Sequence, residues 1–194
     1  MFRHLLAIFM ILVSNSLYAV DATKNATKSF TIGKWQITEF AAPTQMIYRL
    51  SSNSINFGEK HIVFDFASSK RCTPSPAVMI IKRETYNPDL DDGRVILAYK
   101  IPNQVEVSEL TKTAMQKDDS FVFFQFVGLT TTKLLQSKDI GNLVIWVPES
   151  FDGTVKRSDN IYFPIEGFRL ATNEAYKLCN SKLSPICYLL KNRR

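Results

Sequence analysis

The sequence predicts a mainly β fold: an antiparallel β-sandwich or flattened barrel with one C-terminal α-helix packed on it. Three observations predict it. About eight or nine short runs alternate apolar and polar residues between turn signals, as half-buried strands do. One segment near the end changes to a helical period, its apolar residues recurring at three- and four-residue steps. No internal repeat or low-complexity tract competes with these signals, and layers of strands capped by a terminal helix satisfy them.

Ordered structure is expected from Phe30. Phe30 and Ile32 precede Gly33, then Trp35, Ile37 and Glu39 alternate with Gln36, Thr38 and Phe40 until Pro43. Met46, Tyr48 and Leu50 form the next strand, and Ser51 to Gly58 reads as a turn. His61 to Ala67 places Ile62, Phe64 and Phe66 on one face and His61, Val63 and Asp65 on a half-solvated one. Ser68 to Pro76 is a loop holding Cys72, and Ala77 to Thr85, opening with Val78-Met-Ile-Ile81, reads as a central strand. After the turn Tyr86 to Gly93 come strands at Arg94–Ile101 and Val105–Leu110, with Thr111 to Ser120 read as a short helix or polar loop. Phe121 to Val127 is apolar enough for a strand buried on both faces. Leu129 to Asp139 suits a turn of helix, Leu143 to Val147 another central strand, and Phe151 to Ser158 a polar loop.

The chain is organised around its last elements. Ile161, Phe163 and Ile165 alternate with Tyr162 and Pro164, and Pro164 cannot donate to a ladder, so this strand is an edge or ends there. Through Glu166-Gly167 it enters a helix whose Phe168, Ala171, Ala175 and Leu178 face the sheet, while Arg169, Asn173, Glu174 and Lys177 face away. Lys177 complements the helix C-terminus, next to Cys179.

Residues 1–19 read as a secretory signal peptide. Arg3 and His4 precede the apolar run Leu5 to Val13, and small residues lead to cleavage after Ala19. The run falls well short of the roughly 20 residues that span a bilayer. Residues 20–29 form a polar, flexible leader, 30–181 a single domain, and 182–194 a basic, apolar tail. Asn25-Ala-Thr27 matches a glycosylation triplet, read as a chance occurrence. Of 24 Lys and Arg only Arg3 leaves with the signal peptide, so 23 cations remain against 18 acids, a net charge near +5. That excess is spread along the chain with no basic stripe or aromatic binding module, which argues against nucleic acid. Peripheral contact with an anionic membrane surface through the tail (Ile186, Tyr188, Leu189, Leu190, then Lys191-Asn-Arg-Arg194) is the alternative to docking of the tail on the domain.

Export places Cys72, Cys179 and Cys187 in an oxidising compartment, where an odd count leaves one thiol free or intermolecular. Cys179 with Cys187 would close a small loop, worth about 3 kcal/mol or less in the loop-entropy model. Cys72 tied to the terminal helix would be worth about 4 to 5 kcal/mol. The spacing leaves both pairings open.

The sequence assigns no catalytic residue, no metal and no cofactor. In the mature chain His61 is the one histidine, and no close Cys or His pair supplies further zinc ligands. His61 with Asp65 would suit a hydrolase, but strand spacing separates them by roughly 13 Å, and no Gly-x-Ser-x-Gly elbow occurs. The acidic loop Asn87-Pro-Asp-Leu-Asp-Asp-Gly93, with Asp89, Asp91 and Asp92, fails the EF-hand register and reads as a hydrated turn. Asp118-Asp119, Asp152 and Asp159 are scattered, with nothing to select a glycosidase pair.

Several positions carry a family resemblance: Trp35 on the first strand, Cys72 before a middle strand, then Phe163-Pro-Ile-Glu-Gly-Phe168 and a short helix ending in Leu178-Cys179. In this order the chain resembles small exported bacterial proteins, the periplasmic accessory proteins associated with type VI secretion and, more distantly, the invasion-associated protein B family. The resemblance implies a β-sandwich with Cys72 bonded to Cys179 and brings no catalytic residues. The expected function is that of an exported, non-enzymatic binding or accessory protein recognising a protein or envelope component. The alternatives are a secreted hydrolase acting on envelope polymers and a secreted enzyme inhibitor.

Overall fold

The computed structural model describes residues 26–82, 94–115, 121–137, 140–147 and 160–181. The expected signal peptide, residues 87–93, Asp118, Asp119, Asp152, Asp159, and residues 182–194 with Cys187 lie outside the described residues. Ten strands form one antiparallel sheet. In chain order these are β1 (Ala26–Ile32), β2 (Trp35–Ala42), β3 (Gln45–Asn53), β4 (Lys60–Ala67), β5 (Val78–Lys82), β6 (Arg94–Lys100), β7 (Val107–Met115), β8 (Phe121–Gln125), β9 (Asn142–Trp146) and β10 (Ile161–Pro164). Two helices accompany them, α1 (Thr131–Leu135) and α2 (Phe168–Ser181). The strand order is β1-β2-β3-β4-β5-β8-β7-β6-β9-β10.

β10 is an edge strand, as Pro164 requires, yet its outer rim is covered. Ile55 donates its backbone N–H to Tyr162 O at 2.8 Å, Tyr162 N–H donates to Asn56 Oδ1 at 3.1 Å, and the Trp35 indole donates to Pro164 O at 3.1 Å. The sheet therefore curls until its last strand meets the loop after β3. β1 forms the other edge, blunted by a register shift between Ala26 and Lys28 and by the Lys28 charge.

Apolar alternation explains the core. Trp35 and Ile37 on β2, Tyr48 and Leu50 on β3, and Ile62, Phe64 and Phe66 on β4 are buried. α2 lays Phe168 between Trp35 and Phe64, ring centroids 4.8 and 5.5 Å away. One turn further on, Ala171 and Ala175, both buried, let the helix approach the strands closely. Cys179 ends its buried stripe and is bonded to Cys72, with Cα atoms 5.7 Å apart and a sequence separation of 107. This is the pairing the family resemblance implies.

Four local expectations need correction. β1 begins at Ala26 inside the expected leader, because Thr27 Oγ1 donates to Glu39 Oε1 at 2.9 Å and Ser29 meets Thr38 at 3.2 Å. Small polar residues pair across an exposed edge without any apolar face. Thr111 to Met115 extend β7 in place of a helix or loop, with Thr111 buried and its hydroxyl donating to Val95 O at 2.9 Å. β8 buries Val122 and Phe124 but leaves Phe121 and Phe123 half-buried, so it packs mainly one face. β9 sits next to the edge, not centrally.

Candidate binding cleft

Two turns build the site. The two-residue turn between β1 and β2 is Gly33-Lys34, and Glu166-Gly167 joins β10 to α2. Both glycines have positive φ, +60° and +79°, a region in which side-chain-bearing residues are strained. They also touch: a Cβ on Gly33 would stand 3.2 Å from Gly167 Cα, and one on Gly167 would stand 3.1 Å from Ile32 O. This backbone contact places Lys34 and Glu166, one residue away in each turn, on the same opening.

The opening is a cleft of about 710 Å³. One wall is a cross-strand row, Thr31 beside Gln36 beside Ser51, continued by Ser52 to Ile55. Ile140 to Asn142 and Pro164 complete the lining, with Ile165 N–H donating to Gly141 O at 3.1 Å. Some of the hydroxyls serve the fold: Ser52 donates to Lys34 O at 3.0 Å and Ser54 to Asn56 Oδ1 at 3.1 Å. Among the described residues Lys34 and Glu166 are the two charged side chains of the lining, and both are exposed.

His61 stands beside this cleft without entering it. Its Nδ1 lies 2.8 Å from Asn53 Oδ1, and Asn53 is part of the wall. Burial lowers the His61 pKa against the opposing pull of Glu59. Asp65 is engaged elsewhere: Arg49 holds it through Nε and Nη2, both at 2.8 Å. Arg49 is 6 % exposed. Its burial works against the charge, but the Asp65 carboxylate outweighs it and keeps the guanidinium pKa raised. The strand spacing thus holds His61 and Asp65 apart, each with its own partner, and no hydrolytic pair forms between them. Among the described residues no three His, Cys, Asp or Glu side chains gather as a metal site, and no helix is long and apolar enough to cross a membrane.

A further polar group is buried in the core. Tyr48 is 1 % exposed and, among the described residues, its hydroxyl has no partner at hydrogen-bond distance. Burial first, and the neighbouring Glu39 second, push its pKa up to about 12.

No family model matches the sequence, and no curated protein matches it. Among solved structures, the crystal structure of invasion associated protein B from Bartonella henselae is similar. The superposition covers 78 % of this chain and 97 % of that one, with a TM-score of 0.54 and 12 % identity. The likeness is one of fold. It extends to the mainly β architecture with its terminal helix and carries no residue roles.

None of the cleft residues emerged from the sequence as a site. A Gly-Lys turn and a Glu-Gly turn are ordinary punctuation, and the 134-residue separation between Gly33 and Gly167 hides their contact.

Proposed function

We propose that the chain is an exported, periplasmic or secreted, binding or accessory protein without catalysis of its own, and that it recognises a protein or another envelope component at this cleft. The cleft is the observation that carries the reading. Hydroxyls, amides and two opposite charges sit on walls held by sheet hydrogen bonds and by a glycine-to-glycine backbone contact. Such groups orient a ligand through hydrogen bonds. Export is supported by the N-terminal leader and by a buried disulfide, a bond that persists in oxidising compartments. A role beside a secretion apparatus, as the type VI resemblance suggests, is a finer form of the same proposal.

The test is recovery of a partner. The mature protein is used as bait in envelope extract of the source organism under mild crosslinking, beside a Ser51→Trp variant that fills the cleft. A discrete partner held by the parent protein and lost from a folded Ser51→Trp variant supports the reading. Equal recovery by both proteins, or none by either, refutes it.

A further inference from the structure

We infer that the cleft takes an extended segment of polypeptide carrying an acidic and a basic side chain close together. This inference rests on the binding reading above and specifies its ligand. It starts from charge. The chain has a net charge of +6, yet among the described residues the cleft lining holds one cation and one anion, Lys34 and Glu166. A charge-balanced site in a basic protein does not select an anionic polymer or lipid headgroup. Neither side chain forms an ion pair or hydrogen bond among the described residues, not even with the other. The glycine contact fixes the backbone beneath both of them, so two opposite charges are presented without neutralising each other. A ligand with both charges in reciprocal order satisfies the pair, whereas a singly charged one leaves half of it unmatched.

The walls narrow the class further. Thr31, Gln36 and Ser51 form a row of polar side chains across three strands; the Gln36 amide donates to Ser29 Oγ at 2.6 Å, and its carbonyl with the Thr31 and Ser51 hydroxyls suits the N–H and C=O groups of a peptide backbone. Ile55 and Ile140, 61 % and 75 % exposed, also line the cleft and offer apolar contact to a ligand's side chains. Among the described residues no aromatic ring lines the cleft, so they offer a sugar or a nucleic-acid base no stacking platform.

A photoreactive benzoylphenylalanine placed at Ser51 of the full chain, expressed and irradiated in the source organism, tests this. Mass spectrometry of the adduct should find a polypeptide crosslinked within a segment that has an acidic and a basic residue within about three positions of each other. A synthetic peptide of that segment should bind the parent protein. Lys34→Ala and Glu166→Ala should each weaken it by roughly two- to fivefold, as expected for exposed ion pairs. Replacing the peptide's acid by its amide should remove the effect of Lys34→Ala. A glycan or lipid adduct, or a peptide indifferent to both substitutions, overturns the ligand class while leaving a cleft that binds. No adduct at Ser51 overturns the binding reading with it.

Discussion

Replacing both Cys72 and Cys179 by Ala, in a Cys187→Ala background that leaves no third thiol to exchange, isolates the contribution of the bond between sheet and helix. The bond closes a loop of 107 residues in sequence separation, for which loop-closure entropy gives about 4 to 5 kcal/mol. Both cysteines are fully buried, so the alanines also vacate two sulfur positions in the core, a smaller loss of roughly 1 kcal/mol each. Together these make a total near 6 kcal/mol, a large share of the roughly 5 to 15 kcal/mol by which domains are stable. For a domain of this size each kcal/mol is worth about 2 to 4 °C, so the midpoint should fall by about 12 to 24 °C. Urea unfolding of oxidised parent, reduced parent and variant reports it, with reduced parent and variant unfolding within about 2 kcal/mol of each other. A variant within 1 kcal/mol of the oxidised parent would refute the reasoning, as would peptide mapping that found Cys179 joined to Cys187.

Three further outcomes follow from particular contacts. Gly167→Ala adds a methyl 3.1 Å from Ile32 O at φ +79° and should cost about 1 to 3 kcal/mol in thermal unfolding, while Gly58→Ala, with open space around its Cβ, should stay within about 0.5 kcal/mol. Tyr48→Phe removes a buried hydroxyl without a hydrogen-bond partner among the described residues and should leave stability at pH 7 unchanged or raise it by about 1 kcal/mol. Because the folded pKa of Tyr48 lies near 12 and the unfolded one near 10, its contribution is complete below pH 10 and lost as pH rises through 12. The alkaline branch of the stability curve should therefore flatten in the variant. His61 has a folded pKa below its unfolded value, so its contribution is present above about pH 6.5 and lost as pH falls through the folded pKa. Denaturant midpoints measured from pH 5 to 7.5 should show that slope reduced in His61→Gln.

Elements with an apolar period were legible; those without one were not. Trp35, Ile37 and Phe64 announce strands because each strand buries one face, and Phe168, Ala171 and Ala175 announce a helix for the same reason. β1 and the second half of β7 escaped because they are held by other means. Thr27 and Ser29 bond to the next strand through hydroxyls, and Thr111 is buried with its hydroxyl on Val95 O. Polar residues in strands look like loops when only hydrophobicity is read. Arg49 alternates with Tyr48 and Leu50, yet it too is buried, against the Phe40 ring and Asp65.

The cleft shows the same limit in a sharper form. Pro164, Glu166 and Gly167 were visible as the end of a strand and the start of a helix, and Gly33 as a break after Ile32. Their joint meaning depends on the sheet curling through ten strands so that β10 reaches the β1–β2 turn. Once it does, the need for glycine at both positions has one steric cause, the approach of two backbones to a separation that a side chain would occupy. A contact that close is a fixed hinge point between the terminal helix and the first hairpin. The residues beside it inherit that fixity, and for this reason Lys34 and Glu166, unremarkable as exposed charges, form a pair on which recognition can be built.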